Sequence, residues 1–265
     1  MLALLATGLA ARLHGSDWLG SDDSASTARP APLIPPPADT TARGEGSSEP
    51  ATEGDRADAP NADAKERRPA FSVAPLSRSA RARLKAGGFW RRGCPVPLSG
   101  LRMLNVTYRG FDGQPHSGEL VVNSRAAPPL KRVFRRLYRI RFPIRHIGFA
   151  KFYGPRSARP REGDVTASFE CRESVPSPCT GGTRSGRWSM HAYGLAVDIN
   201  PTENPYIGCG QSRDPATKPY RDRSRHRRGM TGPRVVAAFA SIGWSWGGAW
   251  TGNTKDYMHF SATGR

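Results

Sequence analysis

The stretch Ser189-Met-His-Ala-Tyr-Gly-Leu-Ala-Val-Asp198 decides the fold around a candidate site. It places His191 seven positions before Asp198, with Gly194 between them, where the backbone can turn sharply. Residues 195–199 then alternate as a β-strand does, so the apolar side chains face one way and Asp198 faces the other. The pattern therefore predicts Asp198 on the open face of a central strand.

A second histidine follows near the C-terminus, in Asp256-Tyr-Met-His259. Two histidines and one carboxylate are a common catalytic zinc set, because three protein ligands leave a fourth position open for water. We therefore predict His191, Asp198 and His259 as zinc ligands. Asp256 is predicted as the general base that takes a proton from that water. Positions i and i+3 face opposite sides of a regular strand, so we expect Asp256 in the bend that enters the last strand.

Together, Ser-x-His-x-x-Gly-x-Ala-x-Asp and the later Asp-x-x-His resemble the D-Ala-D-Ala carboxypeptidase family of zinc peptidases, the vancomycin-resistance type. That family includes L-Ala-D-Glu endopeptidases of phage and bacterial origin. The resemblance covers residues 95–262, with matches at 166–172, 198–206 and 243–248. It implies a peptidoglycan stem peptide as substrate, cut at D-Ala-D-Ala or L-Ala-D-Glu. Many relatives have glutamate at the place of Asp256.

Further site residues are expected around the predicted ligands. Arg172, in the family pattern Ser-x-Phe-x-Cys-Arg, is expected to bind the substrate carboxylate or the tetrahedral oxyanion, because a guanidinium makes bidentate contacts. Ser168 is expected to donate a hydrogen bond to the substrate, and Trp246 to line a subsite. Ser189 is expected to orient either the loop or His191 itself. Glu203 is the alternative proton acceptor if Asp256 does not serve.

The element pattern predicts an α+β fold, in which an antiparallel sheet carries helices on one face and the zinc site on the other. This agrees with the fold of the resembled family. Strands are predicted over residues 101–108, 118–122, 144–149, 195–199 and 257–261, and helices over 75–86, 128–141 and 232–242. The helix over 128–141 carries apolar residues at helical spacing and arginines on its other face.

Charge is distributed unevenly along the 265 residues. Residues 1–70 hold 7 basic and 11 acidic residues, a net charge of −4, whereas residues 71–265 carry +22, which together give the chain its net charge of +18. We interpret residues 1–14 as an apolar N-terminus that fits part of a signal segment, and residues 15–70 as a disordered Pro/Ala-rich acidic linker. Residues 71–265 are expected to form the zinc peptidase catalytic domain. A domain of that size can bury one good core.

The four cysteines do not form a Cys-x-x-Cys motif, so zinc-ribbon and redox interpretations are weak. Cys171 and Cys179 bracket a short loop and are predicted to form a disulfide, which leaves Cys94 and Cys209 as the remaining pair. Buried free thiols are the alternative when the compartment is not known.

The strong positive charge implies an anionic partner or surface. No zinc-finger, RNA-binding or homeodomain signature occurs, so we expect no specific nucleic-acid partner. The partners expected instead are the peptidoglycan stem peptide and the anionic cell wall, bound by a monomer that is secreted or associated with the cell envelope. A non-catalytic, basic cell-wall-binding module is the alternative function.

Overall fold

The computed structural model describes residues 68–148, 164–176, 179, 186–212 and 214–264. All of these belong to one unit that spans residues 61–265. The predicted signal segment lies outside the described residues, as does the predicted linker except for residues 68–70. Within the described ranges, no helix is both long enough and apolar enough to span a bilayer.

A three-stranded antiparallel sheet forms the first half of the fold. Strands β1 (Phe71–Pro75), β2 (Leu101–Arg109) and β3 (Pro115–Asn123) pair in the order β1-β2-β3. Helix α1 (Arg78–Ala86) follows β1, and helix α2 (Ala127–Arg139) follows β3. The predicted strands over 101–108 and 118–122 and the helices near 75–86 and 128–141 are thus confirmed, whereas β1 was not predicted.

Helix α2 packs its apolar face against this sheet. Leu130, Val133, Phe134 and Leu137 are each at most 1% exposed and recur at positions i, i+3, i+4 and i+7. They join the main hydrophobic core together with side chains from β2 and β3. The basic residues of the helix therefore lie on the face away from the sheet.

A second antiparallel sheet carries the candidate site. Strands β6 (Ala196–Asp198), β8 (Ser245–Trp246) and β10 (His259–Ser261) pair in the order β6-β10-β8, and helix α3 (Pro233–Ala240) packs beside them. Phe239 of α3 stacks on Phe260 of β10, with ring centroids 4.0 Å apart. Val197 and Phe260 are fully buried in the same main core as α2, so this core supports both three-stranded sheets.

Two short strand pairs complete the fold. Strands β4 (His146–Ile147) and β5 (Val165–Thr166) are parallel, whereas β7 (Tyr206–Ile207) and β9 (Lys255–Asp256) are antiparallel. The predicted α+β class with antiparallel pairing is confirmed. The strands form four small sheets instead of one, because bends interrupt them. The bend at residues 257–258, for example, ends β9 and lets β10 begin in a different sheet.

The predicted Cys171–Cys179 disulfide is wrong. The structure pairs Cys94 with Cys171 and Cys179 with Cys209, across sequence separations of 77 and 30 residues. Cys171 is buried in a second core cluster that Cys94 also contacts, whereas Cys179 is exposed. Packing of distant segments, which loop length does not reveal, therefore decides the pairing.

Candidate metal and active site

Strand register places two of the predicted ligands side by side. In the antiparallel pair of β6 and β10, Asp198 lies directly opposite His259. Side chains at opposite positions of such a pair point to the same face, with Cβ atoms about 5 Å apart. Val197, the neighbour of Asp198, is fully buried in the main core. Alternation along β6 therefore turns Asp198 away from the core and toward His259.

A tight turn brings His191 to the same place. His191 lies in a 3-10 helix, Met190–Tyr193. The Ser189 side chain caps the start of this helix, because Ser189 Oγ accepts from the His191 amide at 3.3 Å. The turn ends at Gly194, with φ of 64°. A Cβ atom there would lie 2.6 Å from the backbone nitrogen of Asn123 at the end of β3. Only glycine permits this approach, which anchors the turn to the first sheet.

Ser168 fixes the orientation of the His191 ring. The carbonyl oxygen of Ser168 lies 2.6 Å from His191 Nδ1, so Nδ1 donates its proton there and Nε2 presents its lone pair on the other side. Ser168 is 2% exposed, and its hydroxyl donates to the Ala196 carbonyl at 2.6 Å. The predicted substrate contact of Ser168 does not fit this position, because both of its oxygen atoms are engaged inside the protein.

The three predicted ligands form a compact triangle of donor atoms. His191 Nε2 lies 3.2 Å from His259 Nδ1 and 3.3 Å from Asp198 Oδ1, and His259 Nδ1 lies 3.2 Å from Asp198 Oδ1. Tetrahedral ligands about 2.0–2.1 Å from a zinc ion are about 3.3–3.4 Å from one another. The group could hold a metal ion, and its spacing matches three corners of a tetrahedron.

Electrostatics keep the carboxylate of this group ionised. Burial raises the pKa of Asp198, but the charges and hydrogen bonds of His191 and His259 lower it by more, so the pKa lies well below its usual value. The side chains of His191, Asp198 and His259 are 5%, 17% and 7% exposed. An anionic oxygen and two imidazole nitrogens thus converge at a site with little access to water.

His259 is positioned by packing on its far side. Its Nε2 atom is buried and has no hydrogen-bond partner in the described part of the chain. The ring of Trp250 is tilted against the imidazole, with centroids 6.0 Å apart. The Trp250 indole N–H donates to the Gly264 carbonyl, and its own carbonyl accepts from Lys255. The ring of Trp250 is therefore fixed beside a predicted ligand, a position that the sequence did not reveal.

Asp256 lies in β9 rather than in the bend before the last strand. It pairs with Tyr206 of β7, and the chain bends only afterwards, at residues 257–258. Asp256 and His259, three residues apart, therefore lie in strands of different sheets. Gly247 packs directly against this segment, since a Cβ atom at Gly247 would lie 2.5 Å from Asp256 O and 2.9 Å from Asp256 Cβ. Any larger residue there would displace Asp256.

The bend between Asp256 and His259 is held by hydrogen bonds to both of its carbonyls, and the Tyr257 amide donates to the Pro205 carbonyl at 3.3 Å. The Tyr257 carbonyl accepts from Trp246 Nε1 at 2.8 Å and from Thr231 Oγ1 at 3.1 Å, and the Met258 carbonyl accepts from the Ile199 amide at 2.9 Å. Trp246 also stacks on Phe260. The predicted subsite role of Trp246 does not fit these contacts, because its polar atom and ring are used to hold the strand.

Arg172 lies next to the histidine turn and is already paired. The Ser189 amide donates to the Arg172 carbonyl, and the Glu170 amide donates to the His191 carbonyl, so the two segments run side by side. Arg172 Nε donates to Glu170 Oε2 at 2.9 Å. The Arg172 side chain is 33% exposed. The guanidinium therefore has accessible donors, but a substrate anion would share it with Glu170.

Three residues of this region were not predicted as site residues: Glu170, Gly247 and Trp250. Gly247 and Trp250 lie in the segment Trp246-Gly-Gly-Ala-Trp250, so its glycines were a usable signal for a close backbone approach. Glu170 and Trp250 carry no such signal, because their contacts depend on how distant segments pack.

Residues 183–262 match a family model described as D-alanyl-D-alanine carboxypeptidase. The matched range contains all three metal-site residues and Asp256, whereas Ser168 and Arg172 lie before it. The match confirms the resemblance to that family and supports a peptidase related to peptidoglycan. No curated protein and no solved structure matches the chain.

Proposed function

We propose that the protein is a zinc-dependent peptidase that hydrolyses peptidoglycan stem peptides, of the D-Ala-D-Ala carboxypeptidase or L-Ala-D-Glu endopeptidase type. One observation carries the proposal. His191, Asp198 and His259 present three donor atoms within 3.2–3.3 Å of one another, in a range that matches the peptidase family. Structural zinc sites are usually closed and cysteine-rich, whereas a set of three His/Asp ligands is typical of catalytic zinc.

The donor chemistry fits zinc. Imidazole nitrogen and carboxylate oxygen are both zinc ligands, and the Ser168 carbonyl holds His191 in the tautomer that a metal needs. Asp198 stays ionised, which adds a negative charge to the site. A zinc ion held there would supply Lewis-acid chemistry, acidifying water and polarising a peptide carbonyl.

Asp256 is proposed as the general base and then the general acid. Its carboxylate accepts the proton from the attacking water and afterwards delivers it to the leaving amine. The packing of Gly247 against Asp256, and the clamped bend that follows, support this role, because a base must be held within hydrogen-bond reach of its proton.

Arg172 is proposed to bind the negative charge of the substrate, either a terminal carboxylate or the tetrahedral oxyanion. Glu170 accepts from Nε of the guanidinium, and Nη1 is 3.3 Å from the Glu173 carbonyl. An anion would therefore be bound by the Arg172 donors on the exposed edge. Glu170 would tune this affinity, because it offsets part of the positive charge.

The alternative of a non-catalytic, basic wall-binding module accounts for the charge but not for the site. Such a module needs neither a proton acceptor nor three converging metal donors. Two disulfides favour an oxidising compartment, which supports a secreted or envelope-associated enzyme.

Mass spectrometry of purified muropeptides after incubation with the zinc-loaded protein tests the proposal. Loss of a terminal alanine identifies a carboxypeptidase. Cleavage of the L-Ala-D-Glu bond, which releases the stem peptide after its first alanine, identifies an endopeptidase. Product should vanish after chelation and return when zinc is restored. Unchanged muropeptides under both conditions would favour the non-catalytic module.

A further inference from the structure

The outer face of helix α2 is a concentrated patch of positive charge. The helix carries five basic residues and no acidic residue between Ala127 and Arg139. The basic residues are Lys131, Arg132, Arg135, Arg136 and Arg139, and all four arginines are exposed. None of the five forms an ion pair with a residue in the described ranges. Among the residues that the structure describes, the patch therefore has no ion-paired counter-charge.

Beside this patch lies a groove of about 420 Å³, which we call the α2 groove; its lining residues are Pro69, Phe71, Arg132, Arg135, Tyr138 and Arg139. Phe71 and Tyr138 meet edge to face, with ring centroids 6.2 Å apart. The groove thus has an aromatic floor and a rim of three arginines.

We propose that the α2 groove binds a linear polyanion with repeating phosphodiester groups, of the kind that forms phosphate-rich wall polymers. The choice of a wall polymer rests on the proposed function. The binding surface itself rests on the unpaired arginines and the groove. This surface gives the charge of the domain a defined location, whereas the composition alone predicts only a diffuse attraction.

The spacing of the arginines favours a line of anions over a single one. Arg132, Arg135 and Arg139 follow one another by about one helical turn, so their Cα atoms rise about 4.5 Å and then about 6 Å, or about 10 Å overall. An isolated carboxylate engages one guanidinium fork, or at most two. A chain with a phosphate in every repeat unit can engage the whole row, and arginine is suited to phosphate because its fork binds two oxygens at once.

The aromatic floor does not favour single-stranded nucleic acid. Base recognition of that kind uses open aromatic faces on which bases stack. Here the Arg135 guanidinium lies over Phe71 at 5.5 Å, and the Arg109 guanidinium lies over Tyr138 at 4.7 Å. Phe71 also packs against the main core. A guanidinium thus already covers one face of each ring, which leaves less open aromatic surface than base stacking uses.

The test compares two triple variants of equal charge by binding to fluorescent poly(glycerol phosphate) over a salt series. Arg132→Gln, Arg135→Gln and Arg139→Gln together remove the rim while keeping good helix formers. The control replaces Arg92, Arg125 and Arg234 by Gln, three exposed arginines outside the groove. The groove variant should bind at least about tenfold more weakly, and the slope of log K against log salt should fall by about two to three. The control should stay within about twofold of the parent protein.

Equal losses in both variants would overturn the proposal in favour of bulk charge. Equal affinity of the parent protein for polyglutamate would show that phosphate is not recognised, and tighter binding of oligo(dT) through the same three arginines would make the groove a nucleic-acid surface. Hydrolysis of a short soluble stem peptide, measured in parallel, should be equal in all three proteins. If no protein cleaves the peptide while polymer binding still depends on the groove, the proposed function fails and the binding site stands.

Discussion

Two buried clusters of charged side chains in this protein differ in how their charge is balanced. The metal-site cluster sets one carboxylate, Asp198, between two histidines. The second cluster sets two carboxylates around one cation: Arg145 lies 2.6 Å from Glu203 Oε1 and 3.5 Å from Asp164 Oδ2. Asp164 and Glu203 are 1% and 0% exposed. Both clusters are buried, so burial does not distinguish them.

The two clusters shift the pKa of their aspartates in opposite directions. The histidines hold the pKa of Asp198 well below its usual value, whereas burial and then Glu203 raise the pKa of Asp164 to about 8. With this pKa, Asp164 keeps a proton near neutral pH while it lies beside Arg145. The metal-site cluster instead places its one carboxylate between two imidazoles. The balance of carboxylates against their partners, rather than burial, therefore distinguishes the two clusters.

The same comparison argues against Glu203 as the reserve proton acceptor. It is fully buried, and Arg145 donates to one of its oxygens. Asp256 is therefore the acidic residue on which the proposed proton transfer depends.

Removing one predicted ligand of the metal-site cluster should have the largest effect on zinc content and peptide hydrolysis. His259→Ala leaves only two donors, so zinc content should fall well below one per chain and peptide hydrolysis should be lost. Elemental analysis of the purified protein measures this. His116→Ala, which alters an exposed histidine paired with Asp112, should keep one zinc. Full zinc retention in His259→Ala would show that His259 is not a ligand.

Neutralising the base should leave the metal in place. Asp256→Asn should retain one zinc and the fold while turnover of a stem peptide falls at least about a hundredfold, the usual scale for loss of a general base. Asp112→Asn, in the exposed turn between β2 and β3, is the matched control. Near-parental turnover would mean that another group accepts the proton.

Displacing the base without removing it should have a smaller effect. In Gly247→Ala the new Cβ atom overlaps Asp256, so Asp256 must shift. We expect kcat to fall at least about tenfold, with KM and zinc content little changed, since small misplacements of catalytic groups slow the chemical step. Gly232→Ala at the start of α3 is the control. An unchanged kcat, or a loss of zinc that accounts for the whole effect, would contradict a positioning role for Gly247.

The second cluster should make the free energy of unfolding depend on pH. Asp164 has a pKa of about 8 in the folded protein and about 4 when unfolded. The folded state therefore binds more protons between these values, and this group makes the free energy of unfolding fall as pH rises from about 4 to about 8. Asp164→Asn removes that titration while keeping a donor toward Glu203. The free energy of unfolding of this variant should therefore fall less steeply than that of the parent protein as pH rises.

Denaturant unfolding at several pH values from 5 to 9, with a chelator present to exclude metal effects, compares the parent protein with Asp164→Asn. Asp222→Asn, an exposed carboxylate, should follow the parent curve. Parallel curves for Asp164→Asn and the parent would show that Asp164 does not titrate with a raised pKa in the folded protein.

Local patterns predicted much of this fold. Alternation along residues 195–199 placed Val197 in the core and Asp198 away from it, and helical spacing placed Leu130, Val133, Phe134 and Leu137 of α2 against the sheet. These patterns follow from strand and helix geometry, which is local. The short strands β7, β8 and β9 were not predicted, because two residues are too few to show a period.

Contacts between distant segments were not predictable from pattern. Ser168 is turned inward because its carbonyl meets His191, 23 residues later, and Trp246 because its indole meets the Tyr257 carbonyl. The cysteine pairing depends in the same way on which segments the core brings together. Sequence spacing thus identified which residues converge at the candidate metal site but not which side chains hold them there.

X-ray absorption at the zinc edge of the zinc-loaded protein tests the central claim most directly. The account predicts one zinc per chain, bound by nitrogen and oxygen at about 2.0–2.1 Å, with the scattering pattern of two imidazoles and no sulfur at about 2.3 Å. All four cysteines are in disulfides and should not contribute. Sulfur ligands, a second metal ion nearby, or no imidazole contribution would contradict a site built from His191, Asp198 and His259.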